Sequence, residues 1–125
     1  MILDTNALSA FIDGEPTLEE RLAAAPLVAI PVIVLGEFRY GIAGSRHRAR
    51  YESWLTEHLQ DFEMLAVTEP TTQVYARVRT ALKKAGRPIP ANDVWIAALA
   101  PQHRLLVLTR DEHFDVVPGL HREGW

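Results

Sequence analysis

Cysteine is absent from the 125 residues, which removes disulfides, thiolate nucleophiles and zinc–thiolate sites together and suits a reducing compartment. Long apolar runs are absent too. The longest, residues 27–36, is broken by Pro31 and too short to span a bilayer. A basic segment followed by an apolar one is missing at the N-terminus, so no secretory leader is expected and the chain reads as cytoplasmic, with no membrane partner. Repeats and low-complexity tracts are missing as well. The five histidines show no metal-ligand spacing, and only His113, near Asp111, stands out.

Acids are missing from two windows. Residues 38–51 contain Arg39, Arg46, Arg48 and Arg50 but no carboxylate, and residues 70–92 contain Arg77, Arg79, Lys83, Lys84 and Arg87 with none. Within a chain of net charge −3, this segregation implies positive surface beside negative surface. Two solvated helix faces would give the same pattern.

What is present is ordinary for a globular protein: 48% hydrophobic and 23% charged residues, enough for one domain with one core. Met1-Ile2-Leu3 runs straight into Asp4 and reads as a short buried strand ending in a carboxylate. A polar turn at residues 13–16 leads to a helix over 17–25, a strand over 27–30, and a helix from about Pro31 to Ala43. Tyr51, Trp54, Leu55, His58, Leu59 and Phe62 mark an amphipathic helix over 46–62 whose aromatics face the core. Further on come a strand over 64–67, a helix over 70–85, a buried helix over 94–100 opened by residues 90–93, and a strand over 105–109. A helical turn is expected over 112–116 and an edge strand over 120–125. Strands alternating with helices predict a doubly wound α/β fold around a mainly parallel sheet of four to five strands.

In such sheets ligands bind outside the carboxyl ends of the strands. Asp4 and Asp111 stand just past two of those ends, while Glu37 and Asp93 are lone acids on otherwise apolar helices. Each has a plain alternative: Asp4 and Asn6 could simply open a turn, and Asp93 could be a helix N-terminal carboxylate favoured by the dipole. If the four converge, their repulsion is roughly 3 kcal/mol per pair at about 5 Å with an effective dielectric near 20, so a cation is needed. Oxygen ligands without thiols favour Mg²⁺ or Mn²⁺. Such an ion, with positions open to water, suits phosphodiester hydrolysis, and the basic stretches would hold the nucleic-acid backbone near an acidic pocket.

Four segments together resemble the PIN-domain family, and within it the VapC-type toxins of bacterial toxin–antitoxin pairs. They are Met1-Ile2-Leu3-Asp4-Thr5-Asn6, Glu37-Phe38-Arg39-Tyr40-Gly41-Ile42, Pro90-Ala91-Asn92-Asp93-Val94-Trp95-Ile96-Ala97-Ala98 and Leu108-Thr109-Arg110-Asp111-Glu112-His113-Phe114. The resemblance implies one PIN-like nuclease domain over residues 1–125, a three-layer α/β/α sandwich, and endoribonuclease activity dependent on Mg²⁺ or Mn²⁺. It also implies homodimerisation and inhibition by a cognate antitoxin. By position, Asp4, Glu37 and Asp93 match the family's acidic triad and Asp111 its fourth acid, all four as catalytic metal ligands, with Asn6 and Thr109 supporting them. Asp115 is a second candidate for the fourth acid. Arg39, Arg46, Arg77, Arg79, Lys83, Lys84 and Arg87 are the expected RNA contacts.

Two other folds that place an aspartate after the first strand fit worse. A haloacid-dehalogenase site needs a second Asp where Asn6 stands, and a phospho-receiver needs a late Lys, whereas none follows Lys84. The remaining alternative is a catalytically silent module that keeps the fold and works through protein or RNA association.

Overall fold

The computed structural model describes residues 1–125. Its centre is β1 (Ile2–Leu3), flanked on one side by β2 (Ala29–Pro31) and β3 (Glu63–Leu65) and on the other by β4 (Val107–Leu108) and β5 (Arg122–Glu123). All neighbouring pairs are parallel, with Ile2 opposite both Ala29 and Val107. Consecutive strand residues point to opposite faces. Since Ile2 and Leu3, Ala29 and Ile30, and Val107 and Leu108 are all fully buried, helices cover both faces of the sheet. This is the expected sandwich, with five strands.

The helices are α1 (Thr5–Ile12), α2 (Pro16–Ala24), α3 (Val32–Ala43), α4 (Arg48–His58), α5 (Glu69–Lys84) and α6 (Ala91–His103). Single 3-10 turns occupy Leu59–Asp61 and Glu112–Val116. None of the helices is long and apolar enough to cross a membrane. The aromatics of α4 and its 3-10 extension pack inward as expected: Trp54 and Phe62 meet Phe11 edge-on at 5.9 and 6.1 Å, and Tyr51 meets Phe38 at 5.8 Å.

Besides shifts of one to three residues at the element ends, three features differ from the sequence pattern. Residues 5–12 form α1, because the Asp4 side chain caps it and Ala7 and Leu8 bury its inner face. The expected helix over 46–62 splits at His58, where the chain tightens into the 3-10 turn that feeds β3. The last long helix continues past Ala100 through Pro101 and ends at Arg104 in a left-handed conformation, φ 56°. There the Leu105 amide closes onto the Ala100 carbonyl at 2.9 Å, a helix-ending bond that usually selects glycine at the left-handed position.

The order β3-β2-β1-β4-β5 means the chain builds outward from β1 in one direction, then returns to build in the other. The topological switch point therefore lies between β1 and β4, where loops leaving adjacent strands diverge and a crevice opens.

Candidate active site

Asp4 leaves the end of β1 at this switch point and is 5% exposed. Its Oδ1 accepts the Ala7 amide at 2.7 Å, which satisfies a free donor at the start of α1. Its Oδ2 accepts the hydroxyl of Thr109, a fully buried residue just past β4. The Thr109 hydroxyl oxygen in turn accepts the Asp111 amide at 2.9 Å. One hydroxyl therefore ties the ends of two adjacent strands to two acids.

Glu37 enters from the middle of α3 and accepts the Thr5 hydroxyl at 3.2 Å. Asp93 enters from the first turn of α6, where the helix dipole favours negative charge. Asp111 accepts the His113 amide at 2.9 Å and so caps the 3-10 turn that follows. The His113 ring Nδ1 stands 3.2 Å from Asp111 and 3.6 Å from Asp93. Asp4, Glu37, Asp93 and Asp111 line one cleft of about 580 Å³, with Thr5, Asn6, Asn92 and His113 around them. Four elements remote in sequence thus converge.

The electrostatics follow from that convergence. Burial, and after it the charges of Asp111 and Asp93, raise the Asp4 carboxyl above its ordinary value, against the opposing hydrogen bonds from Thr109 and Ala7. Asp93 is also raised, by burial first and then by Asp111 and Glu37, while His113 offsets part of the shift. Crowded carboxylates that resist ionising suit a divalent cation, which removes their repulsion. Asp93, Asp111 and His113 offer ligand atoms within 4.8 Å of one another. The donor set, mostly carboxylate oxygen with one imidazole, fits a divalent cation.

Asp115 lies elsewhere. It is exposed and held by Arg122 through two bonds of 2.6 and 2.9 Å, and these guanidinium contacts keep its carboxyl below the ordinary range. We expect Asp115→Asn to leave the chemistry of the cleft unchanged and Asp111→Asn to abolish it. Parallel rate measurements on the two variants decide between these acids, and loss of activity in Asp115→Asn would reverse the assignment.

The two basic stretches part company in space. Arg39 pairs with Glu52 at 2.9 Å, Arg48 approaches the same carboxylate at 3.9 Å, and Arg50 reaches Asp13 at 3.6 Å. Arg46 is exposed and contacts only the His47 ring. In the second stretch Arg77, Arg79, Lys83, Lys84 and Arg87 are all exposed. None of these five is among the residues that form ion pairs. Sequence reasoning overlooked Thr5, whose hydroxyl carries no signal beyond its place beside Asp4, and gave His113 too little weight.

A family model described as PIN domain matches residues 1–120. The chain belongs to the PIN domain family. Among PIN-domain relatives, ribonuclease VapC5 of Mycobacterium tuberculosis is 35% identical over 94% of this chain and 87% of that protein. Toxin FitB of Neisseria gonorrhoeae is 33% identical over 89% of this chain and 87% of its own length. A solved structure, VapBC2 from Rickettsia felis bound to a DNA fragment from its promoter, superposes with a TM-score of 0.89. It is 29% identical and covers 99% of this chain and 97% of that one. The PIN fold and the VapC likeness expected from the four motifs are therefore borne out. Divalent-metal dependence is general in this family.

Proposed function

We propose that this PIN domain is a divalent-metal-dependent endoribonuclease, the toxin of a type II toxin–antitoxin pair, acting in the cytoplasm. The observation that carries the reading is the gathering of Asp4, Glu37, Asp93 and Asp111 in one cleft at the switch point of the sheet. These four residues would hold Mg²⁺ or Mn²⁺. Such an ion supplies Lewis-acid stabilisation of the scissile phosphate and lowers the pKa of an attacking water.

The rest of the work falls to the chain. Asp4 is fixed by two hydrogen bonds, so its position costs no reorganisation when substrate arrives. Thr109 and Thr5 orient Asp4 and Glu37, and Asn6 and Asn92 offer amide groups at the rim. The unpaired cations of α5 and of the loop after it, with Arg46, attract the RNA backbone toward an otherwise repulsive cleft. Arg39 is already engaged by Glu52 and contributes less.

A cognate antitoxin that covers this cleft, and a second copy of the chain, complete the proposed assembly. Tyr40, 86% exposed, and Val32 lie on the outer side of α3 and give an apolar strip suited to the dimer contact.

The direct test incubates purified protein with single-stranded RNA in Mg²⁺ or Mn²⁺. Cleavage is expected with either metal, is stopped by chelator, and is lost in Asp4→Asn, which preserves the helix cap. RNA cleavage that persists in Asp4→Asn would refute the site. Tight RNA binding without turnover in Mn²⁺ would instead favour a silent binding module.

A further inference from the structure

We propose that the cleft between α5 and the α5–α6 connection is a nucleotide-binding subsite, which receives the RNA residue next to the scissile phosphodiester. This inference rests on the nuclease reading and names where the strand runs. The cleft has a volume of about 400 Å³ and is lined by Arg79, Leu82, Lys83, Pro88, Ile89 and Val94. Leu82, Val94, Ile89 and Pro88 form an apolar floor suited to the face of a base or a ribose. Arg79 and Lys83 stand at its edge, where a phosphate would lie.

Continuity with the catalytic cleft sets the distance. Ile89 and Val94 line the basic cleft, and the four residues between them, Pro90 to Asp93, line the acidic one. At about 3.8 Å between successive Cα atoms, the two sites share a wall only a few residues wide. A strand bridging them would have one phosphate among the carboxylates and a neighbouring one on Arg79 and Lys83.

Arg79 is also held in place. Its guanidinium hydrogen-bonds the Tyr75 hydroxyl and lies 5.7 Å over the Tyr75 ring. Tyr75 stacks on Trp95 at 3.8 Å, with 22° between the ring planes, and Trp95 sits two residues beyond Asp93 on α6. The cation is therefore referenced to a catalytic acid through a stacked pair, which reduces the side-chain entropy lost on binding. Charge complementarity supplies the rest. Arg48 and Arg50 are drawn to Glu52 and Asp13, whereas Arg79 and Lys83 have no acid to satisfy them.

The test measures binding of a fluorescent single-stranded oligoribonucleotide in chelator, so that turnover plays no part. The double variant Arg79→Ala/Lys83→Ala should raise Kd about tenfold and reduce the slope of log Kd against log salt by about 1.4, the value for two cations on a single strand. Arg50→Ala, at an already paired arginine, should leave both unchanged. A double variant with wild-type Kd and salt slope overturns the proposal. So does a polyglutamate peptide of equal charge that binds as tightly as the RNA, since that would assign the cleft to an acidic protein. Cleavage run in parallel in Mn²⁺ separates the two ideas: wild-type protein that binds RNA through Arg79 and Lys83 but never cuts it would sink the nuclease reading alone.

Discussion

Asp93→Asn is expected to reduce RNA cleavage by roughly a hundredfold or more and, in the absence of metal, to make the protein more stable than wild type. The first effect follows because, in the proposed mechanism, Asp93 holds the ion that stabilises transition-state charge by several kcal/mol, and each 1.36 kcal/mol is about tenfold in rate. The second follows from the crowding. Burial first, then Asp111 and Glu37, hold the Asp93 carboxyl above its ordinary value. A carboxyl raised on folding binds its proton more tightly in the native chain than in the unfolded one. Its penalty is complete above the native pKa and vanishes below the unfolded value.

Metal-free wild type should therefore gain stability as pH falls through the raised pKa values of Asp93 and Asp4 toward the ordinary aspartate value, and Asp93→Asn should gain less. At neutral pH the neutral amide removes the penalty, and a domain of this size moves by about 4 °C in Tm per kcal/mol. Thermal melts in chelator and in saturating Mg²⁺ check both halves. Wild type should be stabilised by the ion and the variant much less. A variant with a lower Tm than wild type in chelator would show that Asp93 is a structural residue whose charge the fold already tolerates.

Thr109→Val should move stability the other way. The side chain keeps its shape, but the fully buried hydroxyl that bonds both Asp4 and the Asp111 amide is gone. A buried donor or acceptor left unpaired costs about 1–3 kcal/mol, so urea denaturation should show a loss in that range. Cleavage should fall by about 10–100-fold, as for other groups that orient metal ligands without touching the metal. Thr109→Ser should recover most of both losses. A valine variant that is less stable but fully active would confine Thr109 to the scaffold. Asp93→Asn and Thr109→Val thus both lose activity while shifting Tm in opposite directions, which separates an acid strained by its neighbours from a hydroxyl that supports them.

Much of this arrangement was legible beforehand, for identifiable reasons. Asp4 directly follows an apolar run, and Glu37 and Asp93 are the only acids on largely apolar helices, so their anomaly survives without coordinates. Asp111 was ambiguous with Asp115 because both follow the same strand; Arg122, seven residues beyond Asp115, separates them only once β5 folds back beside β4. The two basic stretches looked alike, since the acids that neutralise the first, Glu52 and Asp13, lie outside its window and reach it through tertiary contact. The helix α1 was hidden by composition: Ala7, Leu8, Ala10, Phe11 and Ile12 extend the apolar character of the strand before it, and the cap at Asp4 was masked by its other role. The end of α6, past Pro101, falls at a left-handed arginine that no local pattern announces.

The bond between Thr109 and Asp4 spans 105 residues of chain. During synthesis β1 leaves the ribosome before β4, its partner on one side, and must wait while all the intervening chain is made. Contacts of such high sequence separation also form late and slowly in refolding. The nascent polypeptide therefore carries Asp4 apart from Asp111 until β4 has been made, and the pocket closes only once that strand has left the exit tunnel.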